Sequence, residues 1–285
     1  MLWGFSGIVM LMVVVLLVLL GLCFGSFVNA FVWRFHMQAS AKTKIAKAKY
    51  SIVRGRSVCV DCKHQLASKD LLPVVSWLAL KGKCRYCKKP IHWQYPLIEL
   101  ITAILFVASY LFWPNNLNSL VTVANFGLWL VLLVGFMFLV VYDLRWMILP
   151  NKVVLTLGVV ALLFVLSIVI DQGSRVILQA ILGSIVGGGL FWLLFEVSKG
   201  RWIGGGDVKL GFVLGLLLAS PLNAAIMLFV ASLLGTIVSL PMMLGKKITP
   251  STRIPFGPFL LVATVLVQLF SANMINWYVQ TFFNL

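Results

Sequence analysis

Acidic side chains are nearly missing from this sequence. It has seven Asp and Glu in 285 residues, and charged residues of every kind make up only 11%. Soluble domains carry about a quarter charged residues, so a soluble globular fold is excluded. No Lys or Arg precedes Arg34, so the first apolar stretch lacks the basic n-region of a cleaved signal peptide. It also exceeds the usual apolar core of roughly 7–15 residues, and it reads as a retained transmembrane helix. There is no internal repeat, which weighs against a transporter built from inverted halves. Basic residues are not interleaved with aromatics as a base-stacking surface requires, so the formal charge of +16 does not point to nucleic acid.

What is present is apolar. Hydrophobic residues reach 61%, in runs of about twenty, the length that crosses roughly 30 Å of hydrocarbon. Eight spans are predicted, at 7–35, 95–113, 121–142, 153–170, 176–197, 207–219, 223–244 and 254–278. The sixth is short and contains Gly211 and Gly215. With the N-terminus outside, the inside connections are 36–94, 143–152, 198–206 and 245–253. Of the 23 Lys and Arg, 14 lie between Arg34 and Lys89, and only Arg175 falls outside. The positive-inside rule therefore supports both termini on the periplasmic face. The expected fold is an all-α polytopic membrane protein of about eight transmembrane helices. It divides into the first helix (1–35), a cytosolic insertion (36–94) and a seven-helix part (95–285). Within the insertion, residues 39–56 form a basic arm, read as a solvated loop.

Five cysteines are present, and four form two pairs, Cys59-Val60-Asp61-Cys62 and Cys84-Arg85-Tyr86-Cys87. Each pair can form a knuckle that presents two thiolates, and two knuckles close a tetrahedral sulfur shell suited to zinc. On the cytosolic face thiols stay reduced, which disfavours disulfides. The insertion is too short for a large apolar core, and a metal would supply folding energy. Four cysteines leave no open position, so the zinc is structural. His64 is left outside the shell, and Cys23 reads as a packing residue.

Acids inside spans are functional by default. Asp143 closes the third span, and Asp207 opens the sixth behind Gly204, Gly205 and Gly206, with Lys209 following. Both fall on the cytosolic side. The glycines let the backbone bend and come close to another segment. Two converging carboxyls cannot both carry charge cheaply, so one serves as acid and the other as base, a pair able to activate water against a peptide carbonyl. Glu99, one turn into the second span, is open to a supporting hydrogen-bond role or a catalytic one. Glu196 reads as an interfacial residue beside Lys199.

These residues resemble a known family, the type IV prepilin peptidases. The match runs through Phe24-Gly25-Ser26-Phe27-Val28-Asn29 with Arg34, the four cysteines, Leu72-Pro73-Val74-Val75-Ser76-Trp77 and Tyr95-Pro96-Leu97-Ile98-Glu99-Leu100. It continues through Asp143 to Leu149-Pro150, Gly204-Gly205-Gly206-Asp207-Val208-Lys209 and Ile254-Pro255-Phe256-Gly257-Pro258-Phe259. The resemblance implies a bacterial inner-membrane Gly-x-Gly-Asp aspartyl protease with Asp143 and Asp207 as its catalytic pair. It implies that the leader of a type IV prepilin or pseudopilin is cut after a glycine on the cytosolic side. Methylation of the new N-terminus from S-adenosylmethionine is implied as well.

This chain departs from the family pattern at Val60, where proline is common, and at Asn151, where aspartate is common. No glycine-rich strand-to-helix turn of a soluble adenosylmethionine site is present. Gly25, Ser26, Asn29 and Arg34 are placed near the methyl-transfer site by resemblance, with tight helix packing as the alternative. Other readings are a peptidase without methylation, an ion-coupled transporter, and a zinc-containing membrane scaffold.

Overall fold

The computed structural model describes residues 7–43, 50–51, 55–245 and 254–283. Half of the basic arm, residues 44–49 and 52–54, and Lys246, Lys247 and Arg253 of the last inside connection, lie outside them. Among the described residues the chain is helical, with two isolated β-bridges and no strand. Contacts gather it into two units, Met1–Leu111 and Phe112–Leu285.

The first unit is a helical hairpin with a small module at one end. Helix α1 (Gly7–Ser40) is 34 residues long, about 51 Å at the usual rise, longer than a bilayer core. Helix α3 (Gln94–Leu111) packs along it. Gly21 and Gly25 of α1 touch the α3 backbone directly, at Ala103 and Glu99, where a Cβ would collide. The division drawn from sequence assigns this second span to the seven-helix part, whereas its packing puts it in the first unit. A short helix α2 (Val75–Ala79) lies in the connecting module.

The second unit holds α4 (Leu120–Trp146), α5 (Asn151–Gln172), α6 (Arg175–Ser198), α7 (Gly205–Leu218), α8 (Pro221–Leu244) and α9 (Gly257–Phe283). All eight expected apolar segments are thus helical. Seven are long and apolar enough to cross a membrane. The exception is the expected sixth span, α7, with 14 residues. Its length of about 21 Å is less than the roughly 30 Å hydrocarbon core, so of the eight expected membrane helices the sixth is the short one. What keeps α7 helical is its surroundings, because α5, α6, α8 and α9 all pack against it.

The closest packing is between α6 and α7. Gly183 and Gly187 face Gly215 and Gly211, so that a Cβ at Gly187 would sit 2.7 Å from the Gly211 carbonyl oxygen. Small residues on both helices let the backbones meet, the usual device for membrane helices. Gly187→Ala is expected to destabilise the protein by about 1–3 kcal/mol, the usual penalty of overpacking. A lower melting temperature in detergent would show it, and an unchanged melt would contradict the close contact.

Candidate active site and metal centre

Asp143 and Asp207 are brought to one place in the second unit. Asp143 lies in the last turn of α4. That helix stops when Met147 turns left-handed (φ 53), its N–H returning to the Asp143 carbonyl at 2.8 Å. Pro150 then starts α5. The Asp143 side chain is only 4% exposed. Its carboxyl accepts the N–H of Gly257, the first residue of α9.

Asp207 occupies the first turn of α7 and is half-buried. Its carboxyl accepts the N–H of Gly204, the residue that caps the helix. The two carboxyls are near enough for their charges to interact. Each receives an N–H from the beginning of a helix, where backbone donors lack internal partners.

Leu149 holds the two helix starts together. A Cβ at Gly206 would be 3.0 Å from its Cβ, and one at Gly257 would be 3.4 Å from its Cδ2. The close approach expected of the glycine run is therefore made at Gly206. Lys209, one turn further along α7, donates to Asn151 Oδ1 at 2.9 Å, so the departure at Asn151 still supplies an acceptor for this lysine. Nothing in the sequence alone assigns Gly257 a role. The Pro255-Phe256-Gly257-Pro258 turn was its only signal. A Cβ at Gly257 would come within 2.6 Å of Asp143 Oδ2. Gly257→Ala is expected to displace that carboxyl and slow peptide cleavage roughly 100-fold, the scale of a 1 Å misplacement. Wild-type turnover by this variant would remove Gly257 from the site.

The four cysteines belong to the first unit and form two matching knuckles. Cys59 N–H bonds to the His64 carbonyl at 2.9 Å and Cys84 N–H to that of Lys89 at 2.8 Å. Lys63 and Lys88, each following the second cysteine of its pair, both turn left-handed (φ 60 and 59). Lys89 joins the knuckles by bonding to Asp61 at 3.0 Å. All four sulfurs lie within 4.8 Å of one another, and Cys59 and Cys87 are 3.9 Å apart. A tetrahedral zinc–thiolate shell requires about 3.8 Å between sulfurs, so the set fits a closed metal site.

Burial raises the Cys84 thiol, yet the amides of Cys87 and Tyr86 outweigh it and bring it down to about 7. At Cys87 the Lys89 amide lowers the value, but burial and the neighbouring thiols push it up to about 11. A cation at the centre would replace these shared protons. His64 stacks on Tyr86, with ring centroids 3.7 Å apart, and takes no part in the cluster. Asp70 buttresses the second knuckle through Arg85 at 2.6 Å and Tyr86 at 3.2 Å.

Gly25, Ser26, Asn29 and Glu99 also come together, where α1 meets α3. Asn29 donates to the Tyr95 carbonyl at 3.1 Å. Ser26 bonds the Glu99 carboxyl, which also accepts the Val74 N–H at 2.7 Å. Arg34 reaches the Ser57 hydroxyl at 3.4 Å. The polar groups of Ser26 and Asn29 thus bond to protein where α1 meets α3.

Comparison with known proteins accords with the fold. The model of the Bacterial Peptidase A24 N-terminal domain matches residues 19–113, which contain the four cysteines. The Type IV leader peptidase family model matches residues 130–240, which contain both aspartates. With its apolar helices, this places the chain among multi-pass membrane peptidases. Specifically, it belongs to the type IV leader peptidase family.

The prepilin leader peptidase/N-methyltransferase of Aeromonas hydrophila is 30% identical over 94% of each chain. The protein of that name from Pseudomonas aeruginosa strain PAO1 is 31% identical over 92% of each. The type 4 prepilin-like proteins leader peptide-processing enzyme of Escherichia coli O78:H11 is 31% identical over 87% of this chain and 91% of that one. No solved structure matches the chain.

Proposed function

We propose that this enzyme cleaves the leader from type IV prepilin or pseudopilin precursors after a glycine, with Asp143 and Asp207 as its catalytic pair. The observation that carries the mechanism is that Asp143 and Asp207, from the ends of two different helices, lie near enough for their charges to interact. One carboxylate takes a proton from water as the water oxygen bonds to the scissile carbonyl carbon. The other, protonated, hydrogen-bonds the carbonyl oxygen. As the C–N bond breaks, a proton passes to the departing nitrogen, leaving a leader acid and a free amine. The pair shares its proton as a unit. Leu149 and the Gly257 amide position Asp143, and Gly204 positions Asp207.

The charge distribution orients the chain in the bacterial inner membrane with the basic insertion and both aspartates cytosolic and both termini periplasmic. Zinc is the metal best suited to Cys59, Cys62, Cys84 and Cys87, where it would tie the knuckles together without chemistry of its own.

The names of the relatives support methylation of the new amine as a second activity. S-adenosylmethionine, when bound, supplies an electrophilic methyl group. No step is assigned to Gly25, Ser26, Asn29 or Arg34. The test is purified enzyme with a prepilin precursor, read by mass spectrometry. Loss of the leader establishes the peptidase, and a further gain of about 14 Da establishes the methyltransferase. An uncut precursor would overturn the reading.

A further inference from the structure

The module carries an apolar surface that neither the metal site nor the aspartates use. Val75 and Leu78 lie about one turn apart on α2, and Leu71 and Leu72 stand just ahead of it. They are exposed, Leu72 by 53%, Val75 by 60% and Leu78 by 61%. Contiguous apolar surface of this kind marks an interaction site. The inner side of the same helix is already occupied, since Trp77 covers Gly82 and donates to the Ile91 carbonyl at 3.1 Å.

The depth of this stripe follows from Val74. It is a β-branched residue held left-handed (φ 59), a strained conformation that persists only where the surroundings impose it. Here its N–H is captured by Glu99 at 2.7 Å. Glu99 is buried against α1, five residues past the start of α3 at Gln94, which is about 7.5 Å along the helix axis. The beginning of α2 is therefore drawn down beside the second turn of a membrane-spanning helix. Trp93, 61% exposed, stands just ahead of that helix in line with the exposed Leu97, Leu100 and Ile104, where an interfacial tryptophan belongs. Lys69, Lys81 and Lys83 are exposed on either side of the stripe.

We propose that residues 71–80 are a monotopic membrane anchor. Leu71, Leu72, Val75 and Leu78 enter the acyl–headgroup boundary of the leaflet that α3 enters, and Lys69, Lys81 and Lys83 bind anionic phospholipid headgroups. Lipid is the occupant because the Val74–Glu99 bond ties this apolar segment to the second turn of α3 and exposed lysines precede and follow it in the chain, the pattern of interfacial segments on anionic bilayers. The inference rests on the membrane-spanning reading of α1 and α3 and is independent of the aspartates.

The test uses the full chain in nanodiscs of phosphatidylcholine and phosphatidylglycerol with brominated acyl chains. A fluorescent amino acid is placed at Leu78, at Leu72, or at the exposed Lys88 as a control, with bound zinc measured on each protein. Emission at positions 78 and 72 is expected to be mostly lost relative to unbrominated discs, while that at position 88 is retained. A combined Lys69→Gln, Lys81→Gln and Lys83→Gln variant is expected to restore part of the lost emission. Full emission at positions 78 and 72 in zinc-loaded protein would overturn the anchor. Recovery of emission on adding a prepilin precursor would overturn it too, by showing that the stripe serves the substrate. An unaltered loss in the lysine variant would overturn the headgroup contact.

Discussion

Asp143→Asn and Asp207→Asn, each alone, are expected to abolish leader cleavage while the protein still inserts and melts as the wild type does. The substitution keeps shape and the ability to accept an N–H, so the amide at position 143 still receives Gly257 and that at position 207 still receives Gly204. What is lost is proton transfer. A positioned acid or base is worth about 10²–10⁴-fold in rate, and the two steps here need both groups. A decrease of at least about 1000-fold is therefore expected for either variant. Normal processing by one of them, measured on purified protein with a precursor, would remove that carboxyl from the mechanism.

The second large effect concerns the metal. Cys84 is the most buried of the four cysteines, at 4% exposure, and its amide and carbonyl both close the second knuckle. Cys84→Ser is expected to reduce zinc from about one per chain to nearly none, since a structural site binds through all four ligands. Binding energy at such sites, about 10–16 kcal/mol in isolated peptides, is folding energy. Residues 55–92 should therefore become open to protease in this variant, while α4 to α9 keep their own packing. Zinc retained at about one per chain would refute the four-cysteine shell.

Much of this was legible in sequence because membrane helices and metal knuckles are written locally. Runs of apolar residues marked every long helix, and two Cys-x-x-Cys pairs marked the sulfur cluster. Asp143 and Asp207 stood out because acids are rare at helix ends in lipid. The unreadable parts all depend on contacts between distant residues. No period announces that Gly257 will donate to a carboxyl 114 positions earlier, or that Leu149 will hold two helix starts together. The shortness of α7 was visible, but not that four neighbouring helices would enclose it. Nor does sequence show that Ser26, Asn29 and Glu99 bond across α1, α3 and the module.

The glycine crossing of α6 and α7 has a mechanical consequence. Where backbone rests on backbone, there is no side chain to compress, so the joint has little compliance. Asp207 is mounted on the first turn of the helix that this joint clamps. Asp143 lies in the last turn of its helix, which gives way to a four-residue loop that opens on the left-handed Met147. The two jaws of the site are therefore unequal in stiffness. On the proposed catalytic pairing, Asp207 is the stiffer jaw and adjustment to a peptide falls to the loop behind Asp143.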